Sequence, residues 1–331
     1  MFDRQTKQII LLKDPQLVKK SYGFSEKLPF LDFTKDKADE HWAIVDSANK
    51  IQARCSLWYK EKILLKDKVA GFIGHYDAID EEAAIAVLNH AFVQLRQYNC
   101  ALAVGPIDGN TWRRYRFICE RGDEPVFFFE PDNPDNYPKH FLLAGFQPLA
   151  SYFSALNNNL AVRDPKAASI EHKLKTEGIK LRPFSIENRE ADLDAIFKLS
   201  LQSFKSNFLY SPIAEEQFME KYQALLPIIK ENFLLMAEDN DTTVGFVLAL
   251  PNYNEGHKPK SIILKTVARH PANKYAGLGR YLVDRIQKEA FENGYSRVIH
   301  ALMIDQNVSG KISLRYASPI RKYTLYSRQL S

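Results

Sequence analysis

Residues 261–282 read SIILKTVARHPANKYAGLGRYL: an apolar run passes through a polar turn into an amphipathic helix, with Lys274-x-x-Gly277-x-Gly279 at the junction. Glycine at a helix start lets the backbone come close to a bulky anion, and the first N–H groups of the helix have no partner within it and point outward. Lys274 and Arg280 add positive charge, and the first acid of the helix, Asp284, lies more than a turn inside. The spacing is neither the dinucleotide fingerprint GxGxxG nor the phosphate loop GxxxxGK[ST]. A pyrophosphate suits such a junction.

Outward from this stretch, Leu278, Leu282, Ile286 and Ala290 recur at four-residue steps, so residues 278–291 form a helix with one apolar face, ended by Gly294. Strands are expected at 232–237, 243–250 and 261–267, with Asp239, Asn240 and Asp241 turning the first pair into a hairpin. A short strand at 179–183 and helices at 191–204 and 214–226 precede them, and strands at 297–304 and 322–329 follow. The first half repeats the order, with strands at 42–45, 51–59 and 69–74, a helix from Asp80 to about Tyr98, and a strand at 101–104. Between the halves, Asp164-Pro165 opens a short helix that Gly178 closes. The chain therefore reads as α+β with a structural duplication: domains at 1–160 and 179–331, each a mixed, mostly antiparallel sheet flanked by helices, joined by a linker helix at 161–178.

The strand, loop and helix over 262–286 resemble the acyl-CoA-binding motif of the GNAT acyltransferase superfamily, whose loop is usually Arg or Gln, x, x, Gly, x, Gly or Ala; Lys274 stands at its first position. The likeness runs through 179–331 by element order and by Asn307 and Ser309 after the next strand. It implies two tandem GNAT-like domains and acetyl-CoA or a related acyl-CoA as co-substrate; no metal is expected, since HExxH and paired Cys/His spacings are absent from the sequence. The cofactor would rest on Lys274, Tyr275, Ala276, Gly277, Leu278, Gly279 and Arg280, and a free N–H at Val267 or Ala268 would polarise the thioester carbonyl. Asn307 would flank the same notch. The acceptor would be a small-molecule or peptide amine. A family tyrosine usually falls seven positions after the Asn; here that position is Leu314, and the nearest tyrosine, Tyr316, is the candidate acid. Glu238 and Asp305, at strand ends, are the candidate bases. Tyr323 and Tyr326 read as strand aromatics, and His300 as a core histidine. A non-catalytic CoA sensor is the alternative.

The first half lacks the glycine loop. Asp80, Glu81 and Glu82 occupy the cap and first turn of its helix, where they offset the dipole and would repel a pyrophosphate. Its loop after 101–104 clusters Trp112, Arg113, Tyr115 and Arg116, a residue set suited to gripping a carboxylate-bearing acceptor.

With 45% hydrophobic residues in 331, the chain can bury two cores, which excludes a disordered or fibrous protein. The net charge of +5 is dispersed rather than laid in a basic stripe, so nucleic acid is not an expected partner. Three cysteines without a CxxC pair give neither a disulfide framework nor a zinc ribbon. The apolar run Ile9 to Leu12 is too short for a signal core or a membrane span, which points to the cytoplasm and no membrane partner.

Overall fold

A computed structural model describes residues 7–24, 26, 28, 30–34, 36–305 and 308–330. In chain order the elements are β1 (Gln8–Leu11), α1 (Pro15–Ser21), β2 (Glu40–Val45), β3 (Ile51–Leu65), β4 (Lys68–Ala78), α2 (Glu81–Gln97), β5 (Leu102–Gly105), β6 (Phe117–Glu120) and α3 (Tyr137–Leu143). β7 (Gln147–Asn157), α4 (Ala167–Thr176), β8 (Lys180–Pro183), α5 (Arg189–Phe204), α6 (Glu215–Leu225), β9 (Leu234–Asp239) and β10 (Thr242–Pro251) follow. β11 (Ser261–Arg269), α7 (Leu278–Glu292), β12 (Arg297–Ile304), α8 (Val308–Ser313) and β13 (Ser318–Gln329) complete the chain.

Two compact units form, and they are not the two halves of the sequence. The first is Met1–Glu120, Pro131–Ser151 and Tyr323–Ser331; the second is Arg121–Glu130 and Tyr152–Lys322. In the first, the strands run β1-β2-β3-β4-β5, and the end of β13 pairs antiparallel with β5, Tyr326 opposite Gly105. In the second they run β8-β9-β10-β11-β12, and the end of β7 pairs antiparallel with β12, Ile304 opposite Tyr152. Each unit thus takes its sixth strand from sequence that the element order assigns to the other. Within each five-strand run every pair is antiparallel except one, β4 with β5 and β11 with β12, and those parallel pairs are the ones bridged by the long helices α2 and α7. A parallel pair requires a crossover of this length. The duplication is therefore real at the level of topology.

Local chemistry accounts for the repeated parts. Asn240 and Asp241 both take positive φ, 46° and 63°, the geometry of a two-residue hairpin turn, and join β9 to β10 with Asp239 opposite Thr242. Asp80 caps α2 by accepting the Ala83 N–H at 2.8 Å, with Glu81 and Glu82 in the first turn. Leu278, Leu282, Ile286 and Ala290 of α7 are fully buried in the second unit's core beside Val247 and Ile262. In α2 the buried stripe includes Leu88, Phe92 and Leu95, while Ile85 lies at the rim.

The segment expected to link two domains belongs to the second unit. α4 packs its buried Leu174 into that core and lays Ile170 against the start of α7. Asp164 does not simply cap α4. Its carboxylate accepts the Lys166 N–H at 2.9 Å and also pairs with Arg280.

Candidate acyl-CoA site

β11 and β12 pair in parallel from Ser261/Arg297 to Leu264/His300, and no further, although β11 continues to Arg269 and β12 to Ile304. Both strands become irregular where the pairing stops. The β10–β11 register shifts between Leu248 and Ala249, leaving Lys265 without an opposite residue. On β12 the register with β7 shifts between His300 and Met303, where Leu302 has φ 57° and donates its N–H to Ser154 Oγ at 3.2 Å. A bulge re-aims a strand, and here two of them coincide with the end of the β11–β12 pairing, on the side where β11 leads into the glycine loop.

That loop is braced from beneath. Tyr275 is buried, with its hydroxyl donating to Asp239 at 2.7 Å; Lys274 pairs with the same carboxylate. Those two partners, the lysine first, hold the Asp239 carboxyl below its usual range. Gly277 is the N-cap of α7 with φ 95°, a conformation that favours glycine, and a Cβ there would lie 3.3 Å from the Ile170 side chain. No side chain caps α7, and its first turn carries no acid. A Cβ on Gly279 would meet only Val267 Cγ1, at 3.7 Å.

These features fit a pyrophosphate through backbone N–H groups. They do not supply the side-chain charge expected from the sequence. Lys274 is engaged by Asp239, and Arg280 pairs with the fully buried Asp164 side chain. Lys173 of α4 also reaches the loop, its Nζ donating to the Lys274 carbonyl at 3.3 Å.

Between α7 and β12 lies a second feature that fits a polar guest. Among the described residues, His300 Nε2, Ser313 Oγ and Tyr316 Oη are shielded from solvent and have no well-formed hydrogen bond, Gln287 lying nearest the Tyr316 hydroxyl, and the His300 and Tyr316 rings are 5.7 Å apart. Buried polar atoms without partners are uncommon and mark sites where something else is accommodated. Burial, then the nearby Asp164 and Asp284 carboxylates, pushes the Tyr316 hydroxyl far above its usual range, so it keeps its proton. Burial drives the His300 imidazole down to about 4 from 6.5. The unfolded chain therefore takes up this proton at a pH where the folded chain does not, and the stability His300 confers, complete above 6.5, is lost as the pH falls towards 4. The full loss is roughly 3 kcal/mol. Urea unfolding at pH values from 7.5 to 4.5 is expected to show this slope, and His300→Phe to flatten it; equal slopes would assign the acid sensitivity elsewhere.

Of the residues singled out in the sequence, Val267, Ala268, Lys274, Tyr275, Ala276, Gly277, Leu278, Gly279 and Arg280 lie on β11, the loop and the start of α7. Leu278 faces the core. Asn307 lies outside the described residues. Asp305 is exposed just past β12. Glu238 is not a free base: it sits on β9, separated from β12 by β10 and β11, and accepts from Arg182 Nε at 2.8 Å, a guanidinium also held by Asp192. Trp112, Arg113, Tyr115 and Arg116 belong to the first unit and do not form an exposed gripping surface. Arg113 pairs with Asp36 at 3.0 Å, and Arg116 is buried, stacked 4.0 Å from the Tyr115 ring centroid. Tyr323 and Tyr326 are buried strand aromatics.

One group of interactions carries no sequence motif. Arg280, Asp284 and Gln287 follow one another around a buried face of α7 and hold Asp164, Arg163 and Asn157, respectively; Arg163 Nε donates to Asp284 at 2.9 Å. The signal available was a run of polar residues at i, i+4 and i+7 on a helix with an apolar face elsewhere.

Among the described residues no helix is long and apolar enough to cross a membrane. No curated protein sequence matches the chain. The fold resembles the GCN5-related glucosamine N-acetyltransferase region of a fungal multi-domain GH3 β-N-acetylglucosaminidase (TM-score 0.57, 11% identity, 99% of this chain), and the chain spans 38% of that protein's length. It also resembles a GCN5-related N-acetyltransferase from Sphaerobacter thermophilus (TM-score 0.52, 11% identity, 92% of this chain and 83% of the other). A tandem GNAT protein from the clavulanic acid biosynthesis pathway superposes over nearly all of both chains (TM-score 0.52, 9% identity, 98% and 99%). At these identities the structures speak for the fold alone; in sequence, residues 194–310, which hold β11, the glycine loop, α7 and β12, match the acetyltransferase (GNAT) family.

Proposed function

We propose that the second unit transfers an acyl group, acetyl by family usage, from an acyl-CoA to a primary amine of a small molecule or peptide, directly and in one ternary complex. The observation that carries this reading is the uncapped, glycine-led start of α7 beside a parallel strand pair that opens beyond Leu264 and His300, within the residues matched by the family. Bound acyl-CoA supplies a thioester, an acyl donor with a good leaving group. N–H groups from Gly277 to Arg280 hold the pyrophosphate, those of Tyr275 and Ala276 being taken by the Ala272 and Asn273 carbonyls at 3.1 and 2.9 Å, and an N–H at Val267 or Ala268 polarises the thioester carbonyl. Tyr316 donates a proton to the departing sulfur, and Asp305 or an ordered water accepts the proton released by the amine. Holding amine and thioester together removes the entropic cost of their encounter. The first unit takes no acyl-CoA at the equivalent place, because Asp80 already caps α2 and two further acids fill its first turn.

Calorimetric titration of the full chain with acetyl-CoA and with CoA tests the reading. One site per chain is expected; no binding to the folded chain would overturn it. Residues 179–331 alone would not be a fair test, since they lack the β7 strand that pairs with β12 and the Asp164 that pairs with Arg280. Tyr316→Phe is expected to lower kcat by about a hundredfold with little change in the KM for acetyl-CoA. The solvent-shielded Tyr316 hydroxyl favours a second reading, a CoA-binding sensor without turnover. A sensor would bind CoA yet release no thiol with any amine.

A further inference from the structure

The N–H groups of Leu278, Gly279 and Arg280 precede the first intrahelical bond of α7, from the Tyr281 N–H to the Gly277 carbonyl at 3.0 Å, so their direction is set by the loop before them. That loop is a succession of fixed contacts. His270 donates its backbone N–H to the Val244 carbonyl at 2.7 Å and accepts the Ala272 N–H on Nδ1 at 3.2 Å. Asn273–Tyr275 then make one 3-10 turn. The Tyr275 ring is buried in the second unit's core, edge-on to His270 with 5.4 Å between ring centroids. Its hydroxyl donates to Asp239 Oδ2 at 2.7 Å, and Lys274 pairs with the same oxygen while its Nζ lies 4.9 Å from the Tyr275 ring centroid.

Asp239 is itself well placed to anchor this loop. It closes β9 opposite Thr242 across the hairpin turn, and its other oxygen accepts Asn240 Nδ2 at 3.2 Å. On β10, Gly245 admits the first side chain of α7: a Cβ there would lie 2.7 Å from Leu278 Cδ2. The β9–β10 hairpin therefore holds the chain on both sides of Gly277, at Tyr275 before it and at Leu278 after it.

A carboxylate near an anion site repels the anion, so by charge alone Asp239 is out of place beside a pyrophosphate loop. Two roles account for it, and they predict opposite signs. If Lys274 were the phosphate ligand that its sequence position suggests, Asp239 would compete for it, and removing Asp239 would tighten CoA binding. If Asp239 holds Tyr275 and Lys274 neutralises the carboxylate, removing Asp239 would loosen the loop and weaken binding. The buried Tyr275 ring favours the second role, because a side chain packed in the core and bonded at its tip fixes the backbone that carries it, and donors fixed in advance bind an anion without the cost of ordering them.

We propose that Asp239 is a positioning residue for the acyl-CoA site: it accepts the Tyr275 hydroxyl and so fixes the start of α7 in its anion-binding arrangement, while Lys274 serves it as counter-ion rather than touching phosphate. This rests on the acyl-CoA reading of the site.

The test is calorimetric titration of the full chain with CoA, with thermal melting of each sample. Asp239→Ala and Tyr275→Phe are each expected to weaken CoA about tenfold or more at an unchanged stoichiometry, and the double variant to be no weaker than Asp239→Ala, since both changes remove one hydrogen bond. Asp239→Asn keeps an acceptor for the hydroxyl and is expected to stay within about threefold of the wild type. Loss of folded protein would lower the stoichiometry or the Tm without moving the affinity of what remains, which separates positioning from a merely structural role. Lys274→Met is expected to weaken CoA in the wild type, where it bares the carboxylate, and to change nothing in the Asp239→Asn background. Equal losses in the two backgrounds, tighter binding by Asp239→Ala, or unchanged binding by Tyr275→Phe would overturn the proposal and leave the acyl-CoA site standing. A folded wild type that binds no CoA would overturn that site and this proposal with it.

Discussion

Gly279→Asp is expected to leave the chain as stable as before, or slightly more stable, while weakening CoA binding at least tenfold. The two effects have opposite signs for one reason. Gly279 is the second residue of α7, in a first turn that holds no acid, and a Cβ there meets only Val267 at an ordinary contact distance. Replacing a helical glycine removes an entropic cost of about 0.5–1 kcal/mol, and an acid in the first turn adds about 0.3–1 kcal/mol through the helix dipole. The same carboxylate would stand where the pyrophosphate meets the helix. Two like charges about 4 Å apart repel by about 4 kcal/mol at an effective dielectric constant near 20, so even a heavily screened remnant exceeds the 1.4 kcal/mol that corresponds to tenfold. Gly277 is the less clean choice, because its φ of 95° and the neighbouring Ile170 would strain any side chain placed there. Thermal melting and calorimetric titration of the same sample separate the effects. Gly279→Ala adds volume without charge and is expected to bind CoA nearly as the wild type does. If Gly279→Asp bound CoA with unchanged affinity, the start of α7 would be only a turn.

Asp164→Asn is expected to be the most destabilising isosteric change in the second unit, at about 3–5 kcal/mol, a fall in Tm of roughly 10 °C for a unit of this size. Its carboxylate is fully buried and pairs with an Arg280 side chain that is 10% exposed. Burial opposes ionisation of Asp164, but Arg280 and the Lys166 N–H more than offset it, and the carboxyl is held below its usual range. Removing the charge leaves a guanidinium in the interior without a counter-ion. The apolar double replacement Asp164→Leu with Arg280→Met is expected to recover most of the loss, since it leaves no buried charge behind. Recovery in the double but not in the single variant is the signature, read from urea unfolding. A loss under about 1 kcal/mol for Asp164→Asn would mean that solvent reaches the pair. Arg280→Met with Asp164 intact separates structure from binding: if Arg280 serves the fold rather than the pyrophosphate, stability falls far more than CoA affinity.

Much of the second unit was legible without coordinates because its information is local. The four-residue recurrence of Leu278 to Ala290 demands a helix with one buried face. The Asp239–Asp241 turn demands a hairpin, and a glycine pair between a strand and that helix demands an open helix start. The acids that close the equivalent start in α2 were equally plain. The ends of the sheets were not. Residues 147–157 alternate too weakly to announce a strand, and nothing in them names β12 as a partner; likewise, nothing in 326–329 names β5. Strand pairing is a backbone interaction and is nearly blind to side-chain identity at a distance.

Charged residues show the same division more sharply. Lys274, Arg280 and Arg113 read as cations available to a ligand, because a sequence lists charges without their counter-charges. Asp239 lies 35 residues from Lys274, Asp164 116 from Arg280, and Asp36 77 from Arg113 (position differences in the chain). Chain folding brings each pair together, and burial then makes the pairing obligatory, since an unpaired charge in the interior costs more than the fold can bear. The sequence by itself determined most elements of the second unit, the repeated order of elements and the anion-ready start of α7, all set by neighbours within a few residues. Which strand completes each sheet and which cations are already paired were decided by tertiary structure alone, because hydrogen-bond and charge satisfaction depend on groups that meet only when the chain is folded.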